Sequence, residues 1–254
     1  MAPMGRIAAL LNQKGGVGKT TVTLGLASAA SAAGHHVLVV DLDPQGSSTW
    51  VLGHDPADAR PSTADMIGTA RRALTIVGSH WGPQIDLVAS SPTLQVHEIG
   101  SPERLRKALH QVAGQYDAVL IDCPPALGNL TMNALIAADL ALIVVEPAAL
   151  GLRGIGAVAD AIDEVWDRRN PDLDLAGVIV NKVPAISVEA ERRYDELARI
   201  VGRRAIWQPP VPQRVIVNQA IGERRSVHSY GARAADVSAA FDRLWAKLRR
   251  ATRS

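Results

Sequence analysis

Cysteine is nearly missing from this chain: Cys123 stands alone among 254 residues. That excludes a disulfide framework, a cysteine-rich zinc site and an iron–sulfur cluster held by one chain's own thiolates. Aromatic residues are also scarce, at 4% with a single Phe. Small aliphatic side chains must therefore fill the core, which suits parallel strands covered by helices on both faces. Long hydrophobic runs are lacking too. No segment approaches the roughly 18 apolar residues of a membrane span. The best run, Ala134 to Val145, is broken by Asp139, and the stretch Ile7–Leu11 is too short for a secretion signal. A soluble, cytoplasmic protein is expected. A net charge of one sign is missing as well, the formal sum being only +2.

That sum hides an uneven distribution. Residues 192–254 carry 14 Lys and Arg against 5 Asp and Glu, a balance of +9, whereas residues 1–191 carry 13 against 20, a balance of −7. An acidic body with a basic C-terminal quarter points to a polyanionic partner, with a solvated arginine-rich face as the alternative.

Hydrophobic residues make up 47% of the chain and charged residues 20%, enough for a sizeable core and incompatible with global disorder. Short apolar runs alternate with helical patterns. Ile7–Leu11, Val37–Leu42, Ile85–Val88, Ala118–Ile121, Leu140–Val145 and Leu175–Val180 have the character of strands. Lys19–Ala33, Pro102–Ala113, Leu130–Ala137, Ile155–Arg169 and Val188–Val201 have that of helices, with Gly34 placed to stop the first. The alternation predicts an α/β fold: a doubly wound, mostly parallel sheet with helices on both faces. No linker composition or repeat divides the chain, so residues 1–254 are read as one domain.

The strongest local signal is Asn12-Gln13-Lys14-Gly15-Gly16-Val17-Gly18-Lys19-Thr20-Thr21, between the first strand and the first helix. Glycines let backbone N–H groups turn inward around phosphate oxygens, and the helix N-terminus adds partial positive charge. Lys19 would reach the β- and γ-phosphates, the Thr20 hydroxyl would ligate Mg²⁺ and Thr21 would donate to the α-phosphate. Gln13 stands where the standard phosphate loop has its first glycine, and Lys14 follows it. With that departure the segment resembles the deviant Walker A motif, K-G-G-x-G-K-[ST], of the ParA/MinD family of P-loop ATPases, and within it the small Soj-like partition ATPases.

The resemblance implies ATP and Mg²⁺ as cofactors, held around Lys14, Gly15, Gly16, Val17, Gly18, Lys19, Thr20 and Thr21. It also implies a nucleotide-sandwiched homodimer, in which Lys14 reaches the partner's phosphates and offsets charge on the phosphoryl group in transfer. Val39-Val40-Asp41-Leu42-Asp43-Pro44-Gln45-Gly46 is similar to the family's switch I segment. Asp43 would orient the attacking water near Mg²⁺, and Asp41, on the same side of the strand, would support the site. Leu120-Ile121-Asp122-Cys123-Pro124-Pro125-Ala126 is similar to the Walker B and switch II segment. Asp122 would hold Mg²⁺ through a water, Ala126 replaces a common Ser, and Cys123 becomes a small buried side chain. Asn181, at the end of a late strand, falls where relatives use an Asn for adenine. Pro210-Val211-Pro212-Gln213-Arg214 resembles the stretch that lines the base, with the backbone at Pro212 and with Gln-Arg in place of Arg-Asn. Val145-Glu146-Pro147 and Leu152-Arg153-Gly154-Ile155 resemble the strand, loop and helix after switch II, whereas residues 56–100 and the last 25 match weakly.

Three branches of the family remain open on these residues. A partition-type ATPase would bind double-stranded DNA non-specifically, with Arg192, Arg193, Arg214, Arg224 and Arg225 as candidate phosphate contacts. It would sit on the nucleoid and be stimulated by a ParB-like partner. The motif begins too early to leave room for an N-terminal helix-turn-helix, so operator-specific binding is not expected. A MinD-like membrane-cycling ATPase would use the stripe Phe241, Leu244, Trp245 and Leu248 on a lipid surface; the alternative is that this stripe packs on its own domain. A metabolic member, such as an amide-forming ligase, finds no supporting feature in the sequence. The partition branch fits the basic quarter and is the one expected here, membrane binding being unexpected.

Overall fold

The computed structural model describes residues 5–67, 74–95 and 103–251, without the side chains of residues 149–153. Seven strands form one sheet: β1 (Arg6–Leu11), β2 (Val37–Asp41), β3 (Val77–Ser79), β4 (Gly82–Val88), β5 (Ala118–Asp122), β6 (Leu140–Val145) and β7 (Asp174–Val180). Their spatial order is β3-β4-β2-β5-β1-β6-β7. Every pairing is parallel except the β3–β4 hairpin at one edge. The helices are α1 (Lys19–Ala32), α2 (Ser47–Val51), α3 (Thr63–Ile67), α4 (Glu103–Val112), α5 (Asn129–Ala137), α6 (Ala149–Arg168), α7 (Val188–Val201), α8 (Val215–Gly222) and α9 (Ala235–Ala251). The sheet is doubly wound, as the alternation of apolar runs and helical patterns predicts.

Period-two side chains explain why a strand covered on both faces is apolar throughout, as β6 is. Ile7, Ala9 and Leu11 of β1 face one core, built with α3 to α7, while Ala8 and Leu10 face the other, built with α1, α8 and α9. Burying one such Leu or Ile side chain contributes about 1.5–3 kcal/mol. The stripe Phe241, Leu244, Trp245 and Leu248 lies in the second core, each residue at most 3% exposed. The expectation that the stripe packs on its own domain therefore holds. The alternative, a lipid-facing stripe on the last helix, loses its apolar face to the core. No helix among the described residues is long and apolar enough to cross a membrane.

Several boundaries differ from the sequence reading. Helix α6 starts six residues before Ile155, and Pro102, taken there as the start of α4, lies outside the described residues. The Leu152 and Arg153 side chains of the family-like segment lie outside them as well. Strand β3, the short helices α2 and α3, and α8 have no counterpart in that reading; segments of three to eight residues are too short to show a period.

Helix α9 reaches α1 closely at one point. A Cβ on Gly25 would stand 2.3 Å from Phe241 ring carbons, and Phe241 is itself fully buried. Gly25→Ala should therefore lower the unfolding free energy by about 1–3 kcal/mol through overpacking, read by urea denaturation. Adding Phe241→Leu should recover part of the loss. A Gly25→Ala protein as stable as the parent would mean that the two helices separate at no cost.

Candidate functional site

Two carboxylates anchor the site. Asp41 ends β2 and Asp122 ends β5, and the two are register partners on neighbouring strands. By strand parity both point to the α1 side of the sheet, the side of Val39 and Leu120. Both are fully buried. Burial raises the pKa of Asp41, and the Asp122 charge raises it further. Burial also raises that of Asp122, opposed by hydrogen bonds from Ser48 and Thr20 and by the Lys19 charge. Asp41 accepts from the Thr49 N–H (2.8 Å), the Thr49 hydroxyl (2.7 Å) and the Asp43 N–H (3.1 Å). It thus holds the segment after β2 in place, the supporting role expected of it. Asp122 Oδ2 accepts from the hydroxyls of Thr20 and Ser48, each at 2.7 Å.

The glycine loop runs from β1 to α1 over these carboxylates. Asn12 fixes its start: the side-chain amide donates to the Val144 carbonyl at 2.6 Å, and its Oδ1 accepts from the Lys14 N–H at 2.9 Å. Gly18, the residue before α1, has φ +89°, and a Cβ there would lie 2.2 Å from Asn181 Nδ2. Only glycine satisfies both the left-handed backbone and the close approach. The two loop lysines differ. Lys19 is buried, its pKa lowered by that burial and held up chiefly by the Asp122 charge. Lys14 forms an ion pair with Glu146 just after β6. With both side chains partly exposed, that pair is worth about 0–1 kcal/mol, weak enough to exchange for another anion.

The other candidate residues fall into three groups. Gly15 and Gly16 are exposed, Val17 is buried, and Thr20 and Thr21 are half-buried at the start of α1. Asp43 is half-buried, with Oδ1 accepting from the Gln45 N–H at 3.0 Å and its carbonyl from Ser90 Oγ at 2.6 Å. Asn181 is buried at the end of β7, and its amide donates to the Val17 carbonyl at 2.9 Å. Pro212 bridges to Val183, so its segment runs beside the chain leaving β7.

The five arginines do not form one cluster. Arg192 and Arg193 lie on α7, packed in the first core, and the other three flank α8, packed in the second. Arg193 is held by Glu189 and Glu196, both at 2.7 Å, and Arg214 by Asp236 at 2.7 Å. Arg224 donates to the Trp50 carbonyl at 2.6 Å, and Arg225 lies over the Tyr230 ring at 4.8 Å. Arg192 is exposed.

Sequence reasoning passed over Ser48, Asn12 and the Lys14 partner Glu146. For Ser48 the available signal was a small hydroxyl residue two positions after Gly46; for Asn12, its place at the strand end.

The donor set fits Mg²⁺. Asp122 Oδ1 is buried with no hydrogen-bond partner, beside a threonine hydroxyl, and hard cations take such oxygens. Among the described residues, no group of three or more His, Cys, Asp or Glu could hold a metal by itself, so the remaining ligands would be phosphate oxygens and water. Cys123, next to Asp122, is fully buried, and its thiol is pushed up by that burial and then by the Asp122 charge. It is a packing residue, as expected.

A glycine loop between an inner strand and a helix, with a helix threonine on the carboxylate of the neighbouring, central strand, defines a P-loop nucleotide-binding protein. A family model described as an AAA domain matches residues 5–175. Soj, the sporulation initiation inhibitor protein of Bacillus subtilis, is 31% identical over 91% of this chain and 93% of its own. The chromosome partitioning protein ParA of Myxococcus xanthus is 32% identical, over 86% and 79%. An uncharacterized protein of Mycobacterium tuberculosis is 37% identical over 78% of this chain, the match spanning 64% of that relative's length. The chain belongs to this AAA domain family, in the ParA/MinD group of deviant Walker A P-loop ATPases. Among solved structures, cobyrinic acid a,c-diamide synthase from Mycobacterium smegmatis, with bound ATP analogue and magnesium, is 29% identical with a TM-score of 0.81, over 98% of this chain and 96% of its own. The cell division ATPase MinD of Pyrococcus furiosus, 23% identical with a TM-score of 0.78 over 98% and 100%, shares the fold.

Gly18→Ala should abolish binding of a fluorescent ATP analogue. Removing the clash with Gly18→Ala/Asn181→Ala should not restore it, because the positive φ remains unfavourable for alanine. Full restoration in the double variant would show that contact, and not backbone conformation, requires the glycine.

Proposed function

We propose that this chain is a partition-type ATPase that couples ATP binding to non-specific DNA binding. The observation that carries the reading is the division of labour between the loop lysines: Lys19 is buried over Asp122, while Lys14 is drawn aside to Glu146. A cation parked on a weak ion pair at the rim suits the role of a lysine that acts in a second subunit. Soj and ParA, at 31% and 32% identity, carry partition and sporulation names and support the same choice.

In this reading the backbone of residues 15–21 and the Lys19 ammonium hold the phosphates, and Asn181 and the Pro212 segment flank the base. Thr20 would hold Mg²⁺ directly, with Asp122 and Asp43 acting through water. Magnesium, when bound, would neutralise charge on the phosphate oxygens. Asp43 orients the water, and Lys14 of one subunit leaves Glu146 for the γ-phosphate of the other. Dimerisation is supported by Ile186, Val188 and Val215, which are 94%, 82% and 85% exposed on segments that adjoin the Pro212–Val183 bridge. Large apolar side chains so exposed favour a partner. The dimer would present Arg192 with the Arg224–Arg225 turn to DNA on the nucleoid, and a ParB-like partner would stimulate hydrolysis.

The whole-chain likeness to an amide-forming synthase supports a second reading, ATP-dependent amidation of a carboxylic acid. Gel-shift and turnover assays separate the two. Under the partition reading, random-sequence DNA binds with ATP, and affinity falls steeply as salt rises. Lys19→Ala loses the ATP-dependent binding, and Lys14→Ala lowers turnover by at least about tenfold. An ATP-bound protein that ignores DNA at low salt would turn attention to the synthase reading, and unchanged turnover in Lys14→Ala would remove the role given to Lys14.

A further inference from the structure

Three consecutive residues of α2 touch three different parts of the molecule. Ser48 donates to Asp122, which also receives Thr20 from the glycine loop. Thr49 donates twice to Asp41. Trp50 faces the other way and is 40% exposed. Its carbonyl accepts from Arg224 Nε at 2.6 Å, and its ring lies 5.1 Å under the Arg224 guanidinium. Ser48 and Thr49 are fully buried, so α2 cannot turn without breaking their bonds to the two carboxylates.

The receiving end is strained. Arg224 has φ +55°, in the left-handed region that a residue with a Cβ rarely adopts. The cap of α8 sets that conformation, with the Arg224 N–H on the Ile221 carbonyl at 3.0 Å and the Arg225 N–H on the Ala220 carbonyl at 2.9 Å. Two tryptophans add to it: Trp50 binds the Arg224 side chain, and Trp81 Nε1 donates to its carbonyl at 2.9 Å. Trp81 sits beside the β3–β4 turn, and that turn is tied back to α2 by the His80 N–H on the Leu52 carbonyl at 3.0 Å. The placement of the Arg224 guanidinium at this turn therefore depends on where α2 stands, and α2 stands on the carboxylates of the phosphate site.

We propose that α2 is a relay: Ser48 and Thr49 register the state of the Asp122–Asp41 pair, and Trp50 passes it to the Arg224–Arg225 turn. Trp50 is a positioning residue here, acting through Arg224. The relay deepens the DNA-binding reading and rests on it for its purpose: filling of the phosphate site would set the guanidinium geometry offered to a phosphodiester backbone. Coupling between two sites is carried by an element whose position both of them bias.

The test uses the full-length protein with a non-hydrolysable ATP analogue and magnesium. Amide hydrogen exchange over residues 222–227 reads the relay without DNA. In the parent protein the analogue should change exchange there by about threefold or more. In Trp50→Ala this dependence should vanish, while analogue affinity stays within about twofold. Trp50→Phe, which keeps a ring under the guanidinium, should retain it, and Trp50→Leu, which keeps only apolar bulk, should behave as Trp50→Ala. On random-sequence DNA, the rise in affinity produced by the analogue, about tenfold in the parent, should be lost in Trp50→Ala and kept in Trp50→Phe. The relay is overturned if exchange at 222–227 ignores the analogue in the parent, or if Trp50→Ala and Trp50→Leu respond as the parent does. Exchange coupling that follows this pattern, in a protein that never binds DNA, would support the relay and refute the DNA reading.

Discussion

Two carboxylates side by side at the ends of β2 and β5, both out of water, are the constraint on which the rest of the site depends. Burying a charged carboxylate costs several kcal/mol unless hydrogen bonds and an opposite charge offset it. Around Asp41 and Asp122 the offset comes from every neighbouring element: Thr20 and Lys19 from the start of α1, Ser48 and Thr49 from α2, and the Asp43 backbone from the segment between. The glycine loop and the switch segment therefore hold their shape through the carboxylates as much as through their own backbones. Of the four oxygens of this pair, Asp122 Oδ1 is the one left without a partner, the point where this compensation is incomplete and where a cation would find a ligand atom.

Much of this was legible in residue patterns. Strands buried on both faces are apolar along their length: β6 is so throughout, and β2 and β5 are so up to the terminal Asp41 and Asp122. The phosphate loop was visible because glycine, lysine and threonine at fixed spacing leave few alternatives. Other features carry no such signature. Strand β3 is three residues long and half-buried, and its pairing with β4 is a matter of long-range geometry. Helix α2 follows Gly46 at φ +64° with no side-chain cap, so the usual start signal for a helix is missing. Glu146 was quoted within a motif, but nothing in spacing says that a loop lysine 132 positions away will pair with it.

Charge was legible in amount and not in use. The surplus of the C-terminal quarter looked like a single basic surface, yet Arg193 and Arg214 are bound to carboxylates on their own or neighbouring helices. The scarce aromatics matter more than their number implies. Trp50, Tyr230 and Trp207 lie under Arg224, Arg225, Arg233 and Lys247. An aromatic face orients a cation without neutralising it, so Arg224 keeps its charge for another partner, while Arg225 also pairs with Glu223 at 3.9 Å and Arg193, held by two glutamates, has largely spent its own.

The packing of α9 on α1 also bears on how the protein is made. The glycine loop and its helix leave the ribosome about 200 residues before residues 237–248, which cover the face of α1 that holds Val22, Leu26 and Ala29. Arg6 at the start of β1 even donates to the carbonyl of Ala251. Until residues 237–248 have been made, that helix has an uncovered apolar side, and domains of this size are most exposed to aggregation in such a state. The glycine loop must wait for α9 before it stands on a completed core.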